Sequence, residues 1–210
     1  MTADSSGKSA SSPDFQLLRQ RVETRLAELV PQGMGPAEAA RHSLLAPGKR
    51  LRAILTMIAA AECGGDPFKA LDVACAVEMI HTASLVFDDL PAMDDASLRR
   101  GITTPHVIYG VDVAILAGIG LLNGAFGAVA RAETLSAAQK VEISDILSLS
   151  VGWSGLVGGQ ALDLSSGENG ACIEDIHDGK TGVLFEAATL GGAASAGALD
   201  RMGPAFKDYA

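Results

Sequence analysis

The chain is short of aromatic and basic residues, and each shortage bears on the class of protein. Aromatic residues make up 4% of its 210 residues while 48% are hydrophobic, so Ala, Leu and Gly must build most of the core. These compositions favour helices packed through small side chains. The 16 basic residues against 25 acidic ones give a net charge of -9, which argues against wholesale binding to nucleic acid. The balance leaves room for a local basic site.

Cysteines are also few. Cys63, Cys75 and Cys172 have no metal-ligand spacing, and an odd, scattered set predicts buried thiols in a reducing compartment, here the cytoplasm. The first residues, Met1–Asp14, are polar and rich in Ser, without the apolar segment of a secretory signal. We therefore expect residues 1–13 to be a disordered lead-in and residues 14–210 to form one helical domain.

Strand-like alternation is absent, whereas helical spacing of apolar residues recurs, so the predicted fold class is all-α. Gly and Pro divide the first half into helices over Pro13–Leu29, Ala37–Leu45, Leu51–Glu62 and Phe68–Leu90. A polar stretch over Asp94–Thr104 follows, which is loop-like at its end. Next come the apolar segment Val113–Ala130, a polar helix near Ser136–Leu149 and another apolar run to Leu164. A turn is predicted at Ser165–Gly170 and a last helical region over Ile173–Leu199.

The segment Val113–Ala130 has no charged residue and contains the pair Gly120 and Gly124, spaced as in membrane helix dimers. Against a membrane span, Asn123 lies in its middle and several positions are weakly apolar Gly. A helix that is apolar all round also suits the centre of a large helical domain. We therefore predict no transmembrane span.

Four carboxylates lie close together after a long apolar segment, at Asp88, Asp89, Asp94 and Asp95. In a regular helix, residues seven apart are separated by roughly 700°, so Asp88 and Asp95 would share a face. Pro91 should distort this turn, so either Asp94 or Asp95 could lie on the same side as Asp88. Mg²⁺ suits such a cluster, since it takes oxygen ligands from one or two carboxylates and from substrate phosphates. A solvated acidic loop or a set of helix caps is the alternative interpretation.

Two basic clusters accompany the acids. Arg99 and Arg100 follow within five residues, and Lys49, Arg50 and Arg52 lie upstream beside a Pro-Gly turn. Arg binds phosphate oxygens through two parallel hydrogen bonds. The upstream cluster could equally be a charged helix start on the surface. Acids and bases together in an acidic, apolar chain suggest a site for a metal and a diphosphate.

These motifs occur in an order and spacing that resemble the trans-isoprenyl diphosphate synthases. The matching blocks are Pro47–Arg52, Ile80–Gly101, Gly158–Asp163 and Lys180–Phe185. The resemblance implies a single-domain helical bundle of the isoprenoid synthase type and a homodimer formed through central helices such as Val113–Ala130. Apolar residues at Phe87 and Ile119, where most members carry His and Asp, resemble the geranylgeranyl diphosphate synthases of bacterial carotenoid pathways.

The resemblance also implies roles. Mg²⁺ is expected on Asp88 and Asp94, with Asp89 and Asp95 nearby. The remaining assignments divide between two substrates: the allylic diphosphate with Arg99, Lys180, Thr181 and Gln160, and isopentenyl diphosphate with Lys49, Arg52, His81 and Arg100. Without the resemblance, His81 would be interpreted as a core histidine, Lys180 as a solvated lysine and Gln160 as a helix-surface residue.

Product length is expected from the residues before Asp88. In the family, bulky side chains at these positions close the pocket that receives the growing chain, and here they are the small Ala83 and Ser84. The expected reaction therefore joins farnesyl diphosphate to isopentenyl diphosphate and gives geranylgeranyl diphosphate, a C20 product.

The family's second aspartate-rich motif has no counterpart here, although Gly203–Ala210 resembles the segment that precedes it. We expect that the C-terminal third of the usual domain is absent. The chain could be a fragment of an active synthase, a non-catalytic or regulatory homologue, or a short form completed by a partner. A class I terpene cyclase is the less favoured alternative, because it needs no Lys49, Arg52 and His81 for a second diphosphate.

Overall fold

A computed structural model describes residues 14–169 and 182–209. Within these ranges the chain is helical except for one minimal hairpin and the connecting turns, which confirms the all-α prediction. The helices are α1 (Phe15–Leu29), α2 (Pro36–Leu44), α3 (Leu51–Glu62), α4 (Leu71–Asp88), α5 (Pro105–Tyr109), α6 (Val111–Arg131), α7 (Ala137–Val151), α8 (Leu156–Asn169), α9 (Val183–Ser195) and α10 (Leu199–Tyr209). Strands β1 (Leu98–Arg99) and β2 (Ile102–Thr103) pair antiparallel.

Local sequence signals set several helix ends. The Asp14 carboxylate accepts hydrogen bonds from the backbone N–H groups of Gln16 and Leu17 and so caps α1. Ser136 and Gln139 form a reciprocal capping box at the start of α7. Each cap satisfies backbone donors that have no partner within the helix, so these boundaries could be read from the sequence to within a residue or two.

Three expectations are corrected. The turn predicted at Ser165–Gly170 is wrong as far as Asn169, because α8 continues through it. Turn preferences of Ser and Gly amount to about 1 kcal/mol or less per residue, and a helix already begun extends at lower cost than a new one nucleates. Asp94–Thr104 contains the hairpin rather than loop alone. The last predicted helix ends at Ser195, and α10 begins separately at Leu199.

The central helix of the bundle is α4, which packs mainly against α6 and α3, while α9 packs against α3. Glycines allow the closest approaches. A Cβ atom on Gly124 of α6 would lie 2.7 Å from the Met79 Cε of α4. A Cβ on Gly192 of α9 would collide with the backbone oxygen of Thr56 and lie 2.8 Å from the Ala59 Cβ. The small residues of the composition therefore lie where helices touch.

Among the described residues, two helical segments, Pro67–Asp88 and Val111–Arg131, are long and apolar enough to cross a membrane by length and composition alone. The apolar window of the first is 67% buried inside the bundle and that of the second 39%. The burial of the first segment is typical of core helices in globular domains, which pass the same test. The prediction of no transmembrane span stays a prediction.

Some apolar side chains remain exposed. On α6, Ile115, Leu116 and Ile119 form one outward row, at the spacing of a single helix face. Between α7 and α8, Trp153 is 89% exposed. Cys63 and Cys75 are buried free thiols, as predicted, and Cys172 lies outside the described residues.

Candidate active site

The acidic turn begins where α4 ends, with Asp88 as the last helical residue and Asp89 as its C-cap. The chain then folds back on itself, because the Asp94 N–H donates to the Asp88 carbonyl oxygen at 3.0 Å. Asp95 adopts a left-handed conformation, φ 49°, and its side chain is 72% exposed. The turn therefore places Asp94, rather than Asp95, beside Asp88, one of the two arrangements that the sequence left open.

The hairpin β1–β2 brings two arginines back towards this turn. Arg100 and Gly101 both have positive φ, 53° and 79°, so they form the two-residue turn that suits the twist of a tight hairpin. Two contacts fix the hairpin to its surroundings: the Thr104 hydroxyl donates to the Ala96 carbonyl at 2.7 Å, and His42 Nε2 lies 2.8 Å from the Thr103 carbonyl. The result places Arg99 against the end of α4 and Arg100 at the tip.

Arg99 is held by the first two aspartates. Its guanidinium makes close hydrogen bonds to the Asp89 carboxylate, which is 2% exposed, and Nη2 lies 3.7 Å from the Asp88 Oδ2. The hydrogen bond to Asp89 raises the pKa of Arg99 above its ordinary value. Arg99 therefore stays charged next to Asp88. A cation bound by Asp88 and an anionic ligand bound by Arg99 would lie side by side there.

A second group of cations lies beside the first. The segment before α3 brings Gly48 between two guanidiniums, since a Cβ there would lie 3.1 Å from the Arg100 Nη1 and 3.5 Å from the Arg50 Nη1. Arg52, in the first turn of α3, lies with its Nη1 3.4 Å from the Nε2 of His81 on α4. The basic segment, the hairpin tip and α4 therefore converge, and we call Arg50, Arg52, Arg99 and Arg100 around His81 the arginine cluster.

Burial of the imidazole, and then the nearby charges of the arginine cluster, lower the pKa of His81 to about 3. The contributing charges are those of Arg52, Arg100, Arg99 and Arg50. Burial likewise lowers the pKa of Arg52, and Arg100 adds to the effect. A neutral imidazole surrounded by guanidiniums can donate or accept one hydrogen bond without adding to the repulsion. Such a surplus of positive charge favours an anionic ligand.

Helix α9 contributes an aromatic wall to the cluster. The Arg52 guanidinium carbon lies 4.6 Å from the centroid of the Phe185 ring, within cation–π range. The Arg52 Nε atom is buried with no hydrogen-bond partner in the part of the chain that the structure describes. The guanidinium is thus held in place by stacking while part of its donor capacity is unused.

Other predicted site residues lie at varied distances from this centre. Gln160 of α8 contacts the acidic turn, with its Nε2 3.6 Å from the Met93 sulfur. Lys49 is exposed before α3. Ala83 is buried, and the half-buried Ser84 donates its hydroxyl to the His81 carbonyl at 2.8 Å. Lys180 and Thr181 lie outside the described residues.

Three residues that shape the site were not predicted from the sequence. Glu78 pairs with Arg50 inside the bundle, Phe185 stacks on Arg52, and His42 holds the hairpin. Glu78 did carry a signal, since a carboxylate between Val77 and Met79 in an apolar helix needs a partner. Nothing in the sequence pattern singled out His42 or the stacking of Phe185.

The geometry defines an all-α protein in which an acidic turn and an arginine cluster flank one helix end, an arrangement suited to phosphate groups. The model of the family described as Polyprenyl synthetase matches residues 36–210. The chain therefore belongs to the polyprenyl synthetase family, as the sequence resemblance predicted.

Relatives and solved structures agree with this membership. The chain is 46% identical over 200 residues to a geranylgeranyl diphosphate synthase of Cyanophora paradoxa, covering 91% of the chain and 66% of the relative. It is 44% identical over 172 residues to the geranylgeranyl diphosphate synthase of Pantoea ananas, covering 78% and 57%. Overall the chain spans about half to two thirds of the length of the curated relatives it matches.

The correspondence in shape with solved structures extends over almost the whole chain. A crystal structure of a FPP/GFPP synthase from Zymomonas mobilis matches with a TM-score of 0.86 at 31% identity, covering 93% of this chain and 74% of that one. The geranylgeranyl pyrophosphate synthetase of Pyrococcus horikoshii matches with a TM-score of 0.85 at 35% identity, covering 93% and 60%. These matches confirm the predicted isoprenoid synthase type of bundle.

Proposed function

We propose that the protein is a prenyltransferase that condenses isopentenyl diphosphate with an allylic diphosphate, with farnesyl diphosphate converted to geranylgeranyl diphosphate. The observation that carries the proposal is the pairing of two unlike phosphate sites across the end of α4. An acidic turn lies on one side and the arginine cluster on the other, with Arg99 between them. Two diphosphate substrates need two such sites, whereas a terpene cyclase needs one.

The acidic turn fits Mg²⁺ by its chemistry. Its side-chain donors are all carboxylate oxygens, and a backbone hydrogen bond holds Asp94 next to Asp88. Mg²⁺ is commonly held by one or two carboxylates and completed by substrate phosphates. Within residues 14–169 and 182–209 no group of three His, Cys, Asp or Glu side chains is gathered at one point. Asp88 and Asp94 would hold Mg²⁺, and bound there it would offset negative charge on the leaving diphosphate.

The remaining side chains divide the work of binding and charge stabilisation. Arg99 and Gln160, which lies near Met93, are assigned to the allylic diphosphate. The family resemblance assigns Lys180 and Thr181 to the same ligand. Arg52, Lys49, Arg100 and His81 bind the diphosphate of isopentenyl diphosphate. Fixed guanidiniums stabilise the charge that develops on the departing group without reorganising, which is the larger part of such catalysis.

The proposed reaction transfers a prenyl group in three bond changes. The allylic C–O bond breaks and its electron pair leaves with the diphosphate, so that an allylic cation remains. The double bond of isopentenyl diphosphate attacks that cation and forms the new C–C bond. The resulting cation loses a proton to the departed diphosphate. The neutral His81 beside the second diphosphate orients it without adding a further charge.

The names of the relatives support a C20 product, since several are geranylgeranyl diphosphate synthases, among them bacterial ones from Pantoea ananas and Pseudescherichia vulneris. Small Ala83 and Ser84, one turn or slightly more before Asp88, are the residues that would leave the chain pocket deep. We further propose a cytoplasmic homodimer that serves carotenoid synthesis. The exposed row of Ile115, Leu116 and Ile119 supports self-association through α6.

The test is a product assay with farnesyl diphosphate, isopentenyl diphosphate and Mg²⁺, run beside calorimetric binding of isopentenyl diphosphate alone. We expect a C20 diphosphate that disappears in the Asp88→Ala variant, on chelation of Mg²⁺, and in the absence of isopentenyl diphosphate. Binding without turnover would favour a non-catalytic or regulatory homologue. A product formed from farnesyl diphosphate alone would favour a cyclase, and absence of both binding and product would refute the proposal.

A further inference from the structure

Arg50 and Glu78 form an ion pair in the interior of the bundle that none of the proposed substrate contacts uses. The Arg50 Nη1 lies 3.1 Å from the Glu78 Oε1, and both residues are 4% exposed. Among the cations of the arginine cluster, Arg50 is the one turned inward. An ion pair this deeply buried is rarely a net source of stability, because removing both charges from water costs about as much as their attraction returns. Stability alone therefore does not explain why this ion pair is present.

The backbone at Arg50 is strained. Its φ is 53°, in the left-handed region that costs a residue with a Cβ roughly 1–2 kcal/mol. The Arg50 Nη2 also donates to the Ala46 carbonyl at 2.8 Å, so the side chain closes the segment 46–50 on itself. Strain persists only where the surroundings enforce it. Here the enforcing contacts are Glu78 and Ala46, which hold the segment before α3 in this shape.

Glu78 lies on the same helix as His81, so the ion pair connects two parts of the site. Glu78 lies three residues before His81 on α4, which is about 4.5 Å along the helix axis. Arg50 is flanked by Lys49 and, two residues on, by Arg52. The pair therefore ties the segment that carries Lys49 and Arg52 to the helix that carries His81. Glu78 also faces Arg52, where its negative charge favours the charged guanidinium.

We propose that Arg50 and Glu78 are positioning residues for the isopentenyl diphosphate side of the site, an inference that rests on the proposed function. The ion pair holds the left-handed turn and sets the distance between Arg52 and His81. Glu78 supplies the negative charge that allows the arginines to crowd together before a diphosphate arrives. Neither residue is assigned a contact with a substrate. The acidic turn is held by other contacts, those between Arg99, Asp89 and the backbone, so the allylic side does not depend on the pair.

The test measures the affinity of each substrate separately. The central variant is the double substitution Arg50→Met/Glu78→Leu, which removes both charges and so avoids leaving one of them unpaired in the interior. We expect affinity for isopentenyl diphosphate to fall by about tenfold to a hundredfold, the scale of an ångström-level misplacement. Affinity for an unreactive thiolodiphosphate analogue of farnesyl diphosphate with Mg²⁺ should stay within about twofold, the ordinary scatter for a residue remote from the ligand.

A second variant separates position from charge. Arg50→Lys keeps the positive charge but loses the planar fork that reaches both Glu78 and Ala46. A positioning role predicts that Lys fails to restore affinity for isopentenyl diphosphate, whereas a purely electrostatic role predicts full affinity. The matched control is Arg25→Met/Asp72→Leu, which removes an ion pair between α1 and α4, with the Arg25 Nε 2.8 Å from the Asp72 Oδ1, that lies away from the cluster. That control should bind both ligands as the parent does.

Each result decides. Selective loss of isopentenyl diphosphate binding in the double variant and in Arg50→Lys, with the remote control unaffected, supports the inference. Unchanged affinity in the double variant, full affinity in Arg50→Lys, or equal loss of both ligands would overturn it. If the parent protein itself binds no isopentenyl diphosphate, the proposed function fails first, so the two failures are distinguishable.

Discussion

The guanidinium of Arg99 lies against the carboxylate of Asp89, with Nε 2.7 Å from Oδ1 and 2.9 Å from Oδ2, and Nη2 2.7 Å from Oδ1. This contact joins the hairpin to the end of α4. The buried Asp89 carboxylate therefore holds the hairpin in place, while the Asp88 carboxylate lies farther from the same guanidinium, with its Oδ2 3.7 Å from Nη2. The main contribution of Asp89 should be to stability.

Replacing Asp89 should accordingly destabilise the fold. Asp89→Ala leaves the partly buried Arg99 without its main partner, which costs about 1–3 kcal/mol. Asp95→Ala, in the same turn but with a side chain that is 72% exposed, should change the free energy of unfolding by less than about 0.5 kcal/mol. Urea denaturation of the two variants measures both values. Equal stabilities would contradict the structural role of Asp89.

Stability should depend on pH through His81. Its pKa in the folded protein is about 3 against an ordinary 6.5, so below pH 6.5 the unfolded chain takes up a proton that the folded chain refuses. The stability that the neutral His81 contributes is thus present above pH 6.5 and is lost as pH falls towards 3, by up to about 1.4 kcal/mol per pH unit.

The comparison that isolates this effect is with His81→Gln, which cannot titrate. Carboxylate titrations are common to both proteins and cancel in the difference. The gap between the two unfolding free energies should narrow or reverse as the solution is acidified from pH 6.5. Parallel curves across the window would show that the imidazole is protonated in the folded state, in conflict with its burial among arginines.

Helix contact at Gly192 should be intolerant of a methyl group. Gly192→Ala puts a Cβ into the Thr56 backbone oxygen and against Ala59, and we expect a loss of about 1–3 kcal/mol from overpacking. Gly203→Ala is the matched control in α10, where the added Cβ meets Leu199 Cδ1 at an ordinary 3.5 Å. That variant should change the stability by less than about 1 kcal/mol, because the helix preference of Ala over Gly is opposed by the restriction on a residue with a Cβ before Pro204. Thermal unfolding compares them, and a tolerated Gly192→Ala would show that α3 and α9 are not in close contact.

Self-association through α6 can be tested at its exposed row. Ile119 is 52% exposed and lies one helical turn after Ile115 and Leu116 on the same face of α6. Ile119→Asp would bury a charge in any interface formed there. We expect a dimer to dissociate in analytical ultracentrifugation, by a factor of about 10² or more in the dimer constant. Val141→Asp, at a solitary apolar residue that is 72% exposed on α7, is the control and should leave the mass unchanged. A dimer that survives Ile119→Asp must use another surface.

Product length should respond to Ala83. This residue is 1% exposed on the α4 turn that precedes the acidic cluster. A tyrosine there would occupy the space into which a growing chain extends, so Ala83→Tyr should shift the products from C20 towards C15. Chromatography of the dephosphorylated products gives the ratio. Ser84→Ala keeps the site small and serves as the control, and an Ala83→Tyr variant with an unchanged C20 fraction would refute the assignment.

The sequence was sufficient for the helices and the motifs because both depend on local patterns. Apolar spacing gave α3 its bounds, and the acids and arginines were visible as clusters. It was insufficient where long-range contacts decide. Asp94, and not Asp95, lies beside Asp88 because the chain folds back and forms a backbone hydrogen bond between them. Arg50 points inward because its partner is the buried Glu78, which is 28 residues away in the sequence. The spacing of charges along the chain says nothing of which arginine lies inside.

The exposed indole of Trp153 has an optical consequence. It is the one tryptophan among the 210 residues, and it lies at the turn that leads into the helix of Gln160. Its fluorescence therefore comes from a single known position that begins in water. Any ligand, chain segment or second subunit that covers this turn would shift the emission to shorter wavelength, so the intrinsic signal of the unmodified protein reports events at one edge of the site.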